Sequence, residues 1–225
     1  MKKRLQLAEL QDYVVEIIYD SFQPEALLYG STAIWRCFNG MRFSEDIVIY
    51  MDNTPFKSFL SRRGKYGLRL LWQDPEFPTR VRIANNETVM LLESKPGYAE
   101  NDIRTHFRTD STTKTISVLS PTELMIRKME AYEGRRFVRD IYDLYVLTNW
   151  LDRSDYVDTS RFSQFLHEIH KPIDEQVMIS VNHVNIHLWK LSSLRCLNFV
   201  GITQYPLSRS QKLRGLLFLL CCRLR

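Results

Sequence analysis

Leu28-Tyr29-Gly30-Ser31-Thr32-Ala33-Ile34, followed fourteen residues past Ser31 by Glu45-Asp46-Ile47-Val48-Ile49-Tyr50, is the stretch whose reading decides the fold. The small residues after Leu28 predict a tight turn that opens a helix. Ser31 or Thr32 can cap that helix, and Asn39-Gly40 closes it near Phe38. The run from Asp46 to Met51 is rich in β-branched residues and predicts a strand whose first residue is an acid.

Outward from this stretch, residues 5–20 predict an amphipathic helix with Leu7, Leu10, Val14, Ile17 and Ile18 on one face, ended by Pro24. Further strands are predicted at 67–72, 79–84, 87–93 and 115–119, with Asn85-Asn86 as a hairpin turn between two of them. The polar stretch from Gly97 to Thr113 reads as a loop with room for a short element. Ser120-Pro121-Thr122-Glu123 is a strong helix start, with Ser120 as N-cap, Pro121 in the first turn and Glu123 three residues after the cap. From there to about Leu188 the pattern is helical, with breaks at Gly134, Ser154 and Pro172. Strands come early and helices late. The fold class expected is α+β, a small mixed sheet with flanking helices followed by a C-terminal helical region. Its divisions are an α/β core over 1–119, a helical region over 120–200 that completes the site, and a basic tail over 201–225.

The 225 residues suffice for a sizeable core. The basic start Met1-Lys2-Lys3-Arg4 meets Glu9 and Asp12 before any long apolar stretch, which is unlike a signal peptide. The apolar run Leu216–Cys222 is far shorter than the roughly 20 residues that span a bilayer. A cytoplasmic protein with no membrane partner is expected. Cys37, Cys196, Cys221 and Cys222 are too few and too irregular for a disulfide framework, so they read as buried or incidental thiols. His183 and His187 stand at i and i+4, yet no Glu beside them and no third ligand makes them a metal site. The net charge of +5 belongs to the end of the chain: the last acid is Glu175, and residues 1–175 balance to −2. Arg209, Lys212, Arg214, Arg223 and Arg225 could touch nucleic acid phosphates, or form a solvated, poorly ordered end.

A helix N-terminus preceded by Gly and Ser presents backbone N–H groups and a positive dipole end to an anion. Gly30 lets a phosphate approach the backbone, and Ser31 adds a hydroxyl. Asp46 opens an otherwise apolar strand, where an unpaired buried carboxylate would be costly. Its place is the strand's exposed end, facing a cation or a donor. A triphosphate travels with Mg²⁺, which takes one or two carboxylates plus phosphate oxygens. The second ligand on the same strand face would stand at position 48, which is Val48. Glu45 faces the other way and Asp52 lies about 20 Å further along an extended chain. Glu93 is the best remaining acid, provided its strand neighbours that of Asp46. Further on, Arg136, Arg139, Asp140 and Asp143 fall at i, i+3, i+4 and i+7 of a helix and predict one charged stripe opposite Val138, Ile141 and Leu144. As a solvated face its ion pairs would be weak, about 0.3–0.5 kcal/mol each, with the bases placed before the acids in the less favourable order. Lys128, one helix earlier, can neutralise phosphate as charge moves to a leaving pyrophosphate.

Four segments together resemble the AbiEii-type nucleotidyltransferases, toxins of type IV toxin–antitoxin and abortive-infection systems, and the related MenT toxins. These are Gly30-Ser31-Thr32-Ala33-Ile34, Arg42-Phe43-Ser44-Glu45-Asp46-Ile47, Lys128 with Ala131, and Arg139-Asp140-Ile141-Tyr142-Asp143-Leu144, covering about residues 25–150. The resemblance implies a nucleotidyltransferase-like fold and Mg²⁺-dependent transfer of a nucleotide from an NTP to RNA, such as tRNA, or to a protein. It implies that Gly30, Ser31, Ser44, Lys128 and Arg139 hold the nucleotide and that Asp46 holds the metal. Asp140 or Asp143 would assist in catalysis beside Asp46 and Lys128. A cognate antitoxin would be a partner, and Ser44 the residue open to its modification. The departure is Val48, where the family pattern has Asp. The alternative reading is therefore a degenerate nucleotidyltransferase that binds nucleotide, RNA or a protein partner with little transfer. A third is a plain interaction protein whose Arg-Asp helix is only surface.

Overall fold

The segments that alternate apolar and polar side chains around Asp46 fold as strands of one mixed sheet. The structure, a computed structural model, describes residues 2–22, 26–97, 99–151 and 159–174. In chain order its elements are α1 (Lys2–Phe22), β1 (Leu27–Tyr29), α2 (Gly30–Cys37), β2 (Asp46–Tyr50), α3 (Asn53–Arg62), β3 (Arg69–Gln73), β4 (Arg80–Asn85), β5 (Thr88–Lys95), β6 (Asn101–Phe107), β7 (Thr113–Leu119), α4 (Pro121–Arg135), α5 (Val138–Leu147) and α6 (Thr159–Glu168). The seven strands lie in the order β3-β4-β5-β2-β1-β7-β6. β2 runs antiparallel to β1 and parallel to β5, and β1 runs parallel to β7. The remaining pairs are antiparallel hairpins. The chain divides into two compact units, with the boundary between Leu124 and Met125.

In the first unit, one face of the sheet carries the buried Ile47, Ile49, Val81, Ile83 and Leu92. α1 buries Leu10, Val14, Val15, Ile17 and Ile18, and its Tyr19 joins two strands. The Tyr19 hydroxyl donates to the Ser117 carbonyl at 2.5 Å and accepts the Leu28 N–H at 2.7 Å. Burial pushes that phenol far up from its ordinary pKa. Cys37 is a buried thiol, pushed up by burial to about 12.

α1 also buries a charge. Asp12 is 3% exposed, and its carboxylate meets the Arg36 guanidinium at 3.1 Å and His106 Nε2 at 3.0 Å. The Thr109 N–H and hydroxyl donate to its other oxygen at 2.8 and 2.9 Å. Arg36 also donates to the Phe107 and Ala8 carbonyls. One carboxylate thereby ties α1 to α2 and to the end of β6. Burial alone would raise the Asp12 carboxyl, but His106, Thr109 and Arg36 outweigh it and hold the group below the usual range.

Several expectations are corrected. The stretch from Gly97 to Thr113, read as a loop with room for a short element, contains the seven-residue strand β6. It is an edge strand: Ile103, Thr105 and Phe107 are exposed on one face, and its inward face carries Arg104 and His106, so polar residues on both faces hide the alternation. α3 was not anticipated, although Phe56, Phe59 and Leu60 bury at helical spacing behind Pro55 in its first turn. Gly134 does not break α4, which runs on to Arg135. The break comes at Arg136, held at φ +53° with its N–H on the Tyr132 carbonyl. Neither Ser31 nor Thr32 caps α2: Tyr29 takes the N-cap position and makes no side-chain cap. Asn39, at φ +57°, does close that helix, and a Cβ on Gly40 would stand 2.9 Å from the Ile34 carbonyl oxygen. Ser120 caps α4 by accepting the Glu123 N–H at 3.3 Å. Pro24, Ser154, the His183/His187 pair, Cys196, Cys221, Cys222, the helical pattern to Leu188 and the tail over 201–225 lie outside the described residues.

Asp12→Ala should lower stability by about 3–5 kcal/mol, the usual result of leaving a buried cation without its partner, measured by urea unfolding. Because the folded-state pKa of Asp12 is depressed, its stabilisation is fully present above the ordinary carboxyl range, about pH 4, and is lost as pH falls through the lowered value. Acid titration of the wild-type unfolding midpoint should show this loss, and the Asp12→Ala protein should show a shallower one.

Candidate functional site

The turn, the acid-bearing strand and the strand of Glu93 meet on the face of the sheet opposite the buried isoleucines. β2 and β5 pair in parallel with Asp46 beside Leu91 and Val48 beside Glu93. Laterally paired residues project to the same side, so Asp46, Val48 and Glu93 share one face, all half-buried. The Asp46 and Glu93 Cα atoms are then about 8 Å apart, one strand across and two residues along. The strand of Glu93 is thus the neighbour of β2, as the assignment of Glu93 required. Glu93 also lies near two cations, Arg80 at 3.9 Å and Lys95 at 3.8 Å.

Gly30 stands over Val48. Its φ is +78°, a backbone conformation that favours glycine, and a Cβ there would lie 3.7 Å from Val48 Cγ2. α2 is joined to β2 by the Thr32 hydroxyl, which donates to the Asp46 carbonyl. Ser44, 2% exposed, donates its hydroxyl to Asp46 Oδ1 at 3.0 Å. Gln11 of α1 donates to the Ser44 carbonyl at 2.9 Å, so the residues leading into β2 are fixed from below. Ser31 is half-buried on the first turn of α2. Asp52 serves elsewhere: it is the N-cap residue of α3 and accepts the Gly97 N–H at 3.3 Å.

Three residues of this face escaped the sequence reading. Tyr29 and Tyr50 stack with ring centroids 4.5 Å apart, and Lys95 Nζ lies 5.7 Å from the Tyr29 ring centroid. Tyr50 shares strand parity with Asp46, which was the available signal. Lys95 pairs with Tyr50 only through the long-range register.

The second unit holds Lys128, Asp140 and Asp143. Lys128, on α4 and 5% exposed, places its ammonium 2.6 Å from Asp143 Oδ2 and 3.5 Å from Asp140 Oδ1. Arg135 donates to both Asp140 oxygens at 2.8 and 2.7 Å. Burial would raise the Asp140 carboxyl, but Arg135, Lys128 and Arg139 hold it low. The predicted charged stripe is therefore corrected. Asp140 and Asp143 are 0% and 1% exposed, on the inward side of α5 with Val138, Ile141 and Leu144. Arg136 precedes α5, and Arg139 alone of the four lies exposed on that helix, its guanidinium 4.9 Å from the Phe137 ring centroid. Asp174 fixes the start of α5 by accepting the Val138 N–H at 2.8 Å.

Among the described residues no group of three or more acids, histidines or cysteines could hold a metal ion by itself. The donor set on the sheet face is two carboxylates, which fits an ion that takes its other ligands from water and phosphate.

The sheet is similar in fold to solved nucleotidyltransferase-type structures. The nucleotidyltransferase toxin MenT4 from Mycobacterium tuberculosis superposes with a TM-score of 0.53 at 17% identity, over 69% of this chain and 60% of that one. The chain therefore spans less than two thirds of MenT4. JHP933 from Helicobacter pylori superposes with a TM-score of 0.51 at 18% identity, over 100% of this chain and 94% of that one. At these identities the likeness is one of fold. No curated protein sequence matches the chain. The family model of the AbiEii nucleotidyl transferase toxin of type IV toxin–antitoxin systems matches residues 14–179, which takes in the Gly30 turn, the Asp46 strand and the Lys128 and Asp140 helices. The chain belongs to the AbiEii nucleotidyl transferase toxin family.

Proposed function

We propose that the protein transfers a nucleotide from an NTP to an RNA acceptor such as tRNA, with Mg²⁺, in the cytoplasm and under the control of a cognate antitoxin. The observation that carries this is the β2–β5 register, which sets Glu93 beside Val48 and returns a second carboxylate to the face of Asp46. Asp46 and Glu93 would hold the metal, which when bound neutralises triphosphate charge. Gly30 and Ser31 receive phosphate at the first turn of α2, and Ser44 orients the Asp46 carboxylate. The acceptor hydroxyl attacks the α-phosphorus and gives up its proton to water; the new P–O bond forms as the bond to pyrophosphate breaks. In the second unit Asp143 and Asp140 hold the Lys128 ammonium, and Arg139 adds an exposed guanidinium. Among the described residues no helix is long and apolar enough to cross a membrane.

Val48 supports a second reading, a nucleotidyltransferase fold that binds nucleotide, RNA or a protein with impaired transfer. Where other enzymes of this chemistry place two acids on one strand, this chain has one.

The deciding experiment is Mg²⁺-dependent incorporation of each labelled NTP into total RNA and into protein by the wild type, Asp46→Ala and Val48→Asp. The wild type should label RNA, and Asp46→Ala should cut the rate by about 10²–10³-fold, the scale of losing one preorganised electrostatic contact. Glu93→Gln should cut it by a similar factor if it is the second ligand. A silent wild type that Val48→Asp activates would establish the impaired reading, and label in protein alone would replace RNA as the acceptor.

A further inference from the structure

The face that carries Asp46 continues sideways onto β4 and β3, where the sheet is exposed and its chemistry changes sign. The registers define two lateral rows. One runs Trp72, Arg82, Leu91, Asp46, and the next runs Arg80, Glu93, Val48, Tyr29. Arg69 pairs with Ala84 on the same side. Arg69, Trp72, Arg80 and Arg82 are all exposed. The Arg82 guanidinium lies 5.5 Å from the Trp72 ring centroid, and Trp72 stands beside a bulge between Leu70 and Trp72 that splays the edge strand.

The charge of the first unit is polarised to match. Residues 57–82 hold seven Lys or Arg against two acids, a balance of +5. The rest of residues 1–124 hold nine against fourteen, a balance of −5. A cationic, aromatic-bearing edge on an otherwise acidic unit complements a polyanion with π-faces. Three guanidiniums can meet successive phosphates, and an exposed indole offers a stacking platform for any base. Trp72 is three strands from Asp46, about 14 Å, so a strand of nucleic acid laid along the row would have a neighbouring nucleotide at the carboxylates.

We propose that the β3–β4 edge is the acceptor-docking surface: it binds single-stranded RNA through Arg69, Arg80 and Arg82, with a base stacked on Trp72, and leads the strand across β5 to Asp46. This rests on the RNA-transfer reading above, deepening it by naming where the acceptor lies.

The test is binding of a fluorescein-labelled single-stranded RNA to the full chain by anisotropy, over a salt series, without NTP or Mg²⁺. Trp72→Ala should weaken binding about 5- to 150-fold, while Trp72→Phe retains most of it. Arg82→Ala should weaken binding and reduce the slope of log affinity against log salt by about one. Unchanged urea midpoints would exclude unfolding as the cause. Wild-type RNA affinity in both variants would overturn the proposal. So would a loss on poly-glutamate equal to that on RNA with Trp72→Ala silent, which would assign the edge to an acidic protein. Weakened RNA binding together with no nucleotide transfer in the wild type would leave the surface standing and remove the transfer reading. Undiminished transfer to RNA by the variants would do the reverse.

Discussion

The buried carboxylate of Asp12 is the constraint on which the first unit depends. A charge only 3% exposed is tolerable because four donors from three other parts of the chain converge on it. The same convergence aims α2. That helix has only eight residues, and it is held at both ends: Arg36 by Asp12 at one, Thr32 by the Asp46 carbonyl at the other. A helix so short would not hold its direction by backbone bonds alone. The direction of its first turn, and so of the Gly30 and Ser31 backbone, follows from two polar anchors, Arg36 and Thr32.

The second constraint is the parallel pairing of β2 with β5. A shift of one residue would turn Glu93 to the side of the buried Ile47 and Ile49, where a carboxylate would be far more costly. Burial of Ile47, Ile49 and Leu92 therefore fixes the face on which the acids stand, because a shift by one residue would exchange the two faces. Val48 fits the same logic. Lying beneath Gly30, it fills the space that a carboxylate would occupy, and it removes one negative charge from a face that already holds two.

Lys128, Asp140, Asp143 and Arg135 form a different kind of assembly in the second unit. Two buried acids face two bases, so the cluster is balanced in charge, and against the effect of burial Arg135 and Lys128 hold the Asp140 carboxyl low. Arg135 is 41% exposed while Asp140 is 0% exposed. The network therefore reaches from the interior to solvent through Arg135.

Local chemistry was legible from the residues themselves. The Gly30 turn, the strand from Asp46, the closure at Asn39-Gly40, the Ser120 start of α4 and the α+β order all rest on interactions within a few residues, so the sequence determined them. The strand at 101–107 was not legible, because an edge strand beside a buried Asp–Arg–His node carries polar residues on both faces. The inward turn of Asp140 and Asp143 was also hidden, since helical spacing says which residues share a face but not whether that face meets solvent. Glu93 lies forty-five residues after Val48 in the chain and directly beside it in the sheet. Pairing between distant strands is set by which apolar faces pack together, a property of the whole core. The residue types were the sequence's to decide; which of them stand together was decided only by tertiary structure.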